Sequence, residues 1–468
     1  MLRPLILAAL FHLVPTVASA GSLDAATGRR IDADVLAILA RTHAPGASIA
    51  VIDDGRVVYR KAYGLRDRER GLAAKVDTPY EIGSITKQFT AAAILQLQEA
   101  GKLHIDDMLS SVLPDAPHAS EVTLRQLLSH TSGLPEYLDG PDVETEATKP
   151  ATFAQLIARV AGKPLVFTPG SRMTYNNTGY LLLGRVIEVV SGRSYNDYVR
   201  THLLDRAGMR NTYTVADESR LADMAVGYAR THEGVERALP IHDTWGGAAG
   251  HLVSTLDDLE KWNSALANGR IVKPASYAQM TTATAISQGT SDYGLGLFVD
   301  SLRDQPRIGH TGGSFGFTTA NEFFPRQKLR IIAFTNCRAD PEPGEMLTNA
   351  IFDDVHPDIA AAADRSAPGE DRDATVKAKA FFENLQRGAG DSALLAAKLD
   401  GKMNSGLAKR LELLFAPYGT PVRFVFKGRR EDAGIRWYDY VIDFGPGSQL
   451  KFSIGLDGEM RIASLSYG

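Results

Sequence analysis

The chain has 468 residues, 44% hydrophobic and 23% charged, with 51 basic against 55 acidic side chains and a net charge of −4. That length is too great for one ordinary core and predicts two domains, and the composition is that of a soluble globular protein. Charge this evenly balanced, with no long run of one sign, excludes a basic nucleic-acid surface.

Residues 1–20 read as a secretory signal peptide: Met1-Leu2-Arg3 is a short positive start, 4–17 is mostly apolar, and Ala18-Ser19-Ala20 is an A-x-A cleavage site before Gly21. The expected location is therefore secreted or periplasmic. His12 and Pro15 interrupt the apolar run, and no later segment is long and apolar enough to span a bilayer. The single cysteine, Cys337, excludes an internal disulfide. It follows the apolar Ile331-Ile332-Ala333-Phe334 and reads as a small buried residue.

Ile31, Val35, Ile38 and Leu39 recur at helical spacing. Two β-rich runs, 47–52 and 56–59, flank the turn Asp53-Asp54-Gly55 and predict a hairpin. Next comes Ser84-Ile85-Thr86-Lys87, opening an apolar helix that stops at Gly101. Ser84 then sits at a helix start, where free N–H groups and the positive dipole end stabilise an oxyanion. Lys87 lies one turn on, on the same face, as a base or proton relay. This is the S-x-x-K arrangement of acyl-serine enzymes. A second copy, Ser448-Gln449-Leu450-Lys451, falls in an alternating strand-like run, where its serine and lysine share no helical face.

From 84 to about 269 the signals are mostly helical, with capping boxes at Thr123/Gln126 and Thr152/Gln155 and an N-cap at Thr255. Within this stretch lies Tyr175-Asn176-Asn177, before another apolar helix. A phenol and a carboxamide two residues apart on an extended loop point the same way. The tyrosine, if near the lysine ammonium, has a lowered pKa and can act as general base. The asparagine offers a donor and an acceptor for a substrate amide. The plainer reading is a helix-entry loop, with Asn177 or Thr178 as cap and Tyr175 as packing.

Strands return at 293–299, 316–324 and 329–334. His310-Thr311-Gly312-Gly313 enters the second of these, and its glycines let a ligand approach strand-edge N–H groups. Gly312-Gly313-Ser314-Phe315-Gly316 also matches the G-x-S-x-G elbow, but that elbow needs a helix after it and a strand follows, so Ser314 is rejected as nucleophile. The expected fold is α+β: the early hairpin pairs with the late strands in one antiparallel sheet flanked by helices, beside a helical lobe. The site lies between the lobes, at the start of the Ser84 helix. Residues 361–372 read as a linker between a first domain, 21–360, and a small α+β domain, 373–468, with a helix at 376–387 and four strands.

S-x-x-K, Y-x-N and H-T-G in this order resemble the β-lactamase-related serine hydrolases: class C β-lactamases, low-molecular-weight D,D-peptidases and family VIII carboxylesterases. The resemblance extends to 127–134 and to Trp245-Gly246-Gly247-Ala248-Ala249-Gly250, and it covers about 36–352. It implies a β-lactamase/transpeptidase-like fold. It implies Ser84 as acylated nucleophile, Lys87 and Tyr175 sharing proton transfer with either as base, and Asn177 on the substrate amide. It places His310 and Thr311 on the substrate's carboxylate side and the N–H groups of Ser84 and Gly313 in an oxyanion hole. Losing one such donor typically costs ~2.7–4 kcal/mol of barrier.

His310 departs from the family's K-T-G variant. A lysine there is a permanent cation, whereas a histidine, with an ordinary pKa of about 6.5, is mostly neutral at neutral pH. That favours a D,D-peptidase-like enzyme, a D-amino-acid amidase or an esterase over a class C-like β-lactamase. On that expectation KM for a carboxylate-bearing substrate falls as pH drops toward 6. The expected partner is a small-molecule or peptide substrate, with no cofactor and no metal; His130, His251 and His310 are not spaced as ligands. A non-catalytic penicillin- or cell-wall-peptide-binding protein is the alternative from another class.

Overall fold

The structure is a computed structural model that describes residues 22–214, 223–231 and 234–467. The signal-peptide segment lies outside them. Helix α1 (Ala25–Thr42) is capped by Asp24, and its Ile31, Val35, Ile38 and Leu39 are buried. Strands β1 (Gly46–Asp53) and β2 (Arg56–Asp67) form the expected hairpin.

Helix α2 (Thr86–Glu99) follows a 3₁₀ turn, Gly83–Ile85. Its apolar residues are buried on every side, as in a helix at the centre of a core. Phe89 stacks on Trp262 at 3.9 Å between ring centroids. Around α2 pack α3 (Asn177–Ser191), α4 (Asp243–Gly250), which breaks at Gly247, and α5 (Leu256–Ala267), capped by Thr255. The capping boxes at Thr123 and Thr152 are both formed. The middle of the chain also holds short strands such as Leu252–Ser254, which pairs with Tyr80–Glu81.

Strands β3 (Phe298–Leu302), β4 (Gln305–Ser314), β5 (Phe317–Phe324) and β6 (Leu329–Thr335) complete the main sheet. It has seven antiparallel strands in the order Leu72–Ala73, β2, β1, β6, β5, β4, β3. The first hairpin thus pairs with the last strand, Ile49 opposite Ala333. Helix α6 (Pro343–Val355) packs with α1 on one face and the α2 core covers the other.

Two strand expectations change. The segment predicted as a strand over 293–299 is mostly loop, and the strand begins at Phe298. Gly294 and Gly296 explain this: Cβ atoms there would lie 2.1 Å from the Met280 carbonyl and 2.8 Å from that of Lys87, so the chain bends tightly around the start of α2. His310 to Gly313 end strand β4 instead of entering one, because Phe315 and Gly316 make the turn into β5.

The alanine-rich start of the predicted linker is helical, Pro357–Ala363, as alanine's propensity favours. Beyond it, α7 (Arg372–Gln386) packs on a second antiparallel sheet of β7 (Arg423–Asp432), β8 (Ile435–Asp443), β9 (Gln449–Leu456) and β10 (Ile462–Tyr467). This unit has its own core, centred on Phe381, Phe382, Tyr438 and Phe452. Ser448 immediately precedes β9 and Lys451 lies within it, so the two share no helix. Arg41 of α1 donates to the carbonyls of Phe444 and Pro446, at 2.6 and 3.0 Å, and ties the two units together. Among the described residues no helix is long and apolar enough to cross a membrane.

Candidate active site

Ser84 sits in the 3₁₀ turn, at the floor of a cavity of about 420 Å³ that is also lined by Tyr175, Asn177, Trp245, Thr311 and Gly313. Gly83 makes this turn possible. Its φ is +49°, and a Cβ there would lie 2.7 Å from the Gly313 carbonyl oxygen and 2.8 Å from its nitrogen. The peptide before Ser84 therefore lies directly against the edge of β4. Ser84 and Gly313 both line the cavity beside this contact, which makes their backbone N–H groups the candidates for an oxyanion hole.

Lys87 lies beneath, fully buried. Its Nζ is 3.0 Å from Ser84 Oγ, 2.9 Å from Asn177 Oδ1 and 2.8 Å from the Ala249 carbonyl. Burial lowers its pKa to about 7, against the Glu136 carboxylate, which raises it. A neutral amine has two N–H groups and one lone pair. Asn177 Oδ1 and the Ala249 carbonyl match the two donors, and the lone pair is left for the Ser84 hydroxyl.

Tyr175 is brought to the same place, with Lys87 Nζ 4.7 Å from its ring centroid. The expected lowering of its pKa does not occur. Burial pushes the phenol well above its ordinary value, and the Ser84 hydroxyl, which favours the phenolate, does not offset this. Lys87 Nζ lies close to the Tyr175 ring, and the buried phenol oxygen, near the Ser84 hydroxyl, makes no hydrogen bond of normal length in the resting site. The upward direction of its pKa keeps the Tyr175 phenol protonated in the resting site. His130, at 4.3 Å, and Phe298, at 6.2 Å, pack against its ring.

Asn177 is the first residue of α3, and the N-cap is Asn176, whose Oδ1 accepts from the Gly179 N–H at 2.8 Å. The Asn177 carboxamide is held at both ends. Lys87 donates to its oxygen and its nitrogen lies 3.4 Å from Glu136 Oε2; the oxygen's second lone pair can still accept from a substrate amide, since Asn177 lines the cavity.

His310 also lines the cavity, but it is buried, 1% exposed, and its ring packs among aromatic side chains. Its Nδ1–H donates to the Thr311 carbonyl at 2.5 Å, and its Nε2 accepts from the Tyr293 hydroxyl at 2.8 Å. Burial and the nearby Lys87 lower its pKa to about 3. It is thus held neutral across the physiological range, which runs against the expected fall of KM toward pH 6. Ser314 ends β4 and is followed by a strand, so the elbow geometry is absent. His251 bonds to the Gly247 carbonyl and to Asn196, and His130 Nδ1 accepts from the Asn176 N–H. Among the described residues no three His, Cys, Asp or Glu side chains are placed to hold a metal.

Glu136 escaped the sequence reading. It accepts the backbone N–H groups of Asn177, at 2.5 Å, and Leu138, at 3.0 Å. Its signal was position alone: it lies two residues past the 127–134 stretch, an acid amid an otherwise buried run. Tyr293 and the Ala249 carbonyl also escaped, because a bond that fixes a tautomer and a backbone acceptor leave no sequence pattern.

The beta-lactamase family model matches residues 31–355. Protein flp of Staphylococcus aureus (strain MW2) is 27% identical over 327 residues, which are 67% of this chain and 64% of that protein's length. The chain thus spans under two thirds of that relative. Penicillin-binding protein 4* of Bacillus subtilis (strain 168) is 27% identical over 328 residues, 67% of this chain and 72% of that protein. Among solved structures, the D-stereospecific amidohydrolase from Streptomyces superposes with a TM-score of 0.58 at 28% identity, covering 66% of this chain and 94% of its own. The octameric penicillin-binding protein homologue from Pyrococcus abyssi superposes with a TM-score of 0.64 at 23% identity, covering 94% of this chain and 100% of its own, a likeness of fold that takes in both units.

Proposed function

The chain belongs to the beta-lactamase family across residues 31–355, and on that basis we propose that it is a serine hydrolase working through an acyl-Ser84 intermediate. The observation that carries this is the buried Lys87 amine, 3.0 Å from Ser84 Oγ and with a pKa near 7. As Ser84 Oγ attacks the substrate carbonyl, its proton passes to the Nζ lone pair. The oxyanion forms against the N–H groups of Ser84 and Gly313. The Tyr175 phenol gives its proton to the departing amine or alkoxide as the C–N or C–O bond breaks, and regains one from the Lys87 ammonium. Water then attacks the ester, passes its proton to Lys87, and Ser84 Oγ leaves with a proton.

The substrate we propose is an amide or ester of a D-residue: a D-alanyl peptide, a D-amino-acid amide or a small ester, met outside the cytoplasm. A D-stereospecific amidohydrolase and a penicillin-binding protein among the similar proteins support this. The neutral His310, engaged by Tyr293, speaks against an efficient class C-like β-lactamase, since a permanent cation for a β-lactam carboxylate is missing at that position. Intact Ser84, Lys87 and Tyr175 speak against a binding protein without turnover.

Mapping the adduct of a fluorophosphonate tests the assignment. The label is expected on Ser84, and Ser84→Ala is expected to lose both label and p-nitrophenyl ester hydrolysis. Labelling at Ser314 or Ser448, or undiminished hydrolysis by the alanine variant, would reject it.

A further inference from the structure

One wall of the cavity carries a carboxylate that the mechanism above does not use. Glu342 precedes α6 and lines the cavity beside Gly313 and Arg338. It is half-buried, yet it does not cap its helix, and no hydrogen bond or ion pair to it is found among the described residues. A carboxylate so placed costs desolvation without compensation, unless a ligand supplies the donors.

Its position says what kind of ligand. Glu342 Oε1 lies 3.6 Å from the point a Cβ on Gly313 would occupy. The acyl carbonyl sits between Ser84 Oγ and the Gly313 N–H, so the substituent on the acyl α-carbon comes within reach of Glu342. Its charge also acts on the Tyr175 phenol, as its place in the wall of the same cavity requires. Asp340 and Glu345 lie nearby, but Asp340 is exposed and Glu345 is paired with Arg307 at 3.3 Å, and Arg338 opposes them. Among the described residues that line the cavity, Glu342 is the one carboxylate and Arg338 the one permanent cation, so the attraction for a cation is local to Glu342.

We propose that Glu342 binds the protonated α-amine of the substrate's acyl group, which selects amides and esters with a free amino terminus over N-acylated ones. The amine supplies the N–H donors that the carboxylate lacks in the empty site, in a charge-assisted hydrogen bond. This deepens the acyl-serine reading by naming the substrate class, and it rests on that reading for the placement of the acyl group.

Binding separates the two. D-alaninamide and N-acetyl-D-alaninamide are titrated by calorimetry into Ser84→Ala protein and into the same protein carrying Glu342→Gln. The free amine is expected to bind the single variant more tightly than its acetylated counterpart, and Glu342→Gln is expected to weaken the amine by roughly tenfold or more while leaving the acetylated ligand within about twofold. Equal affinity for the two ligands, preference for the acetylated one, or equal weakening of both by Glu342→Gln would overturn the proposal. Failure of the acyl-serine reading shows up elsewhere, as absent turnover and absent labelling in the wild type.

Discussion

At the scale of the residue, the site turns on two pKa values moved in opposite directions by one cause. Burial makes the neutral form favourable for both Lys87 and Tyr175. For an amine that means a base near neutrality; for a phenol it means a retained proton. The S-x-x-K and Y-x-N spacings gave the residues but could not give this assignment, since desolvation depends on what closes over a group and not on its neighbours in the chain. The same limit hid the state of His310. Glu136 sets the balance from the other side: its charge raises the lysine pKa while its oxygens hold Asn177. Glu136→Gln keeps an acceptor and removes the charge. We expect the acid limb of its kcat/KM profile on a neutral ester to move to lower pH than in the wild type. An unmoved limb, or one moved to higher pH, would show that Glu136 exerts no such charge effect.

At the scale of the element, the closeness of the 3₁₀ turn to the β4 edge depends on two glycines that face opposite ways. A Cβ on Gly312 would lie 2.0 Å from the Ile82 carbonyl and 2.4 Å from Thr319 Oγ1. One on Gly313 would meet only Glu342, at 3.6 Å. Gly312→Ala is therefore expected to cost about 1–3 kcal/mol or more by overpacking, while Gly313→Ala stays within about 0.5 kcal/mol of wild type. Thermal unfolding of the two variants checks this, and equal losses would contradict it. The sequence marked both glycines as a close approach. It placed them at the start of a strand because the β-rich run after Gly316 was the stronger signal, and β4 (QPRIGHTGGS) holds three glycines and a proline among its ten residues. The hairpin, the S-x-x-K helix and the caps were legible because periodicity and cap chemistry are local.

At the scale of the whole molecule, the pairing of the first hairpin with the last strand of the sheet was foreseeable from β-rich ends around a helical middle. The docking of the second unit was not. It runs through Arg41, the Phe444 and Pro446 carbonyls, and Gly447, whose φ is +64° and whose hypothetical Cβ would lie 1.8 Å from the Met346 carbonyl on α6. Tertiary contacts of this kind leave no pattern in either partner. Gly447→Ala is expected to loosen the docking, at a cost of about 1–3 kcal/mol of local strain. Proteolysis between 364 and 371 should quicken while Ser84 labelling persists; unchanged proteolysis would argue that the loop does not hold the units together.

The central claim is that Lys87, as a neutral amine, takes the Ser84 proton. The most direct measurement is the rate at which an uncharged fluorophosphonate labels Ser84 as a function of pH. The rate is expected to fall roughly tenfold per pH unit below about 7 and to level off above it. A rate that keeps rising through pH 10, as a phenolate base would require, or one that ignores pH altogether, would contradict the account.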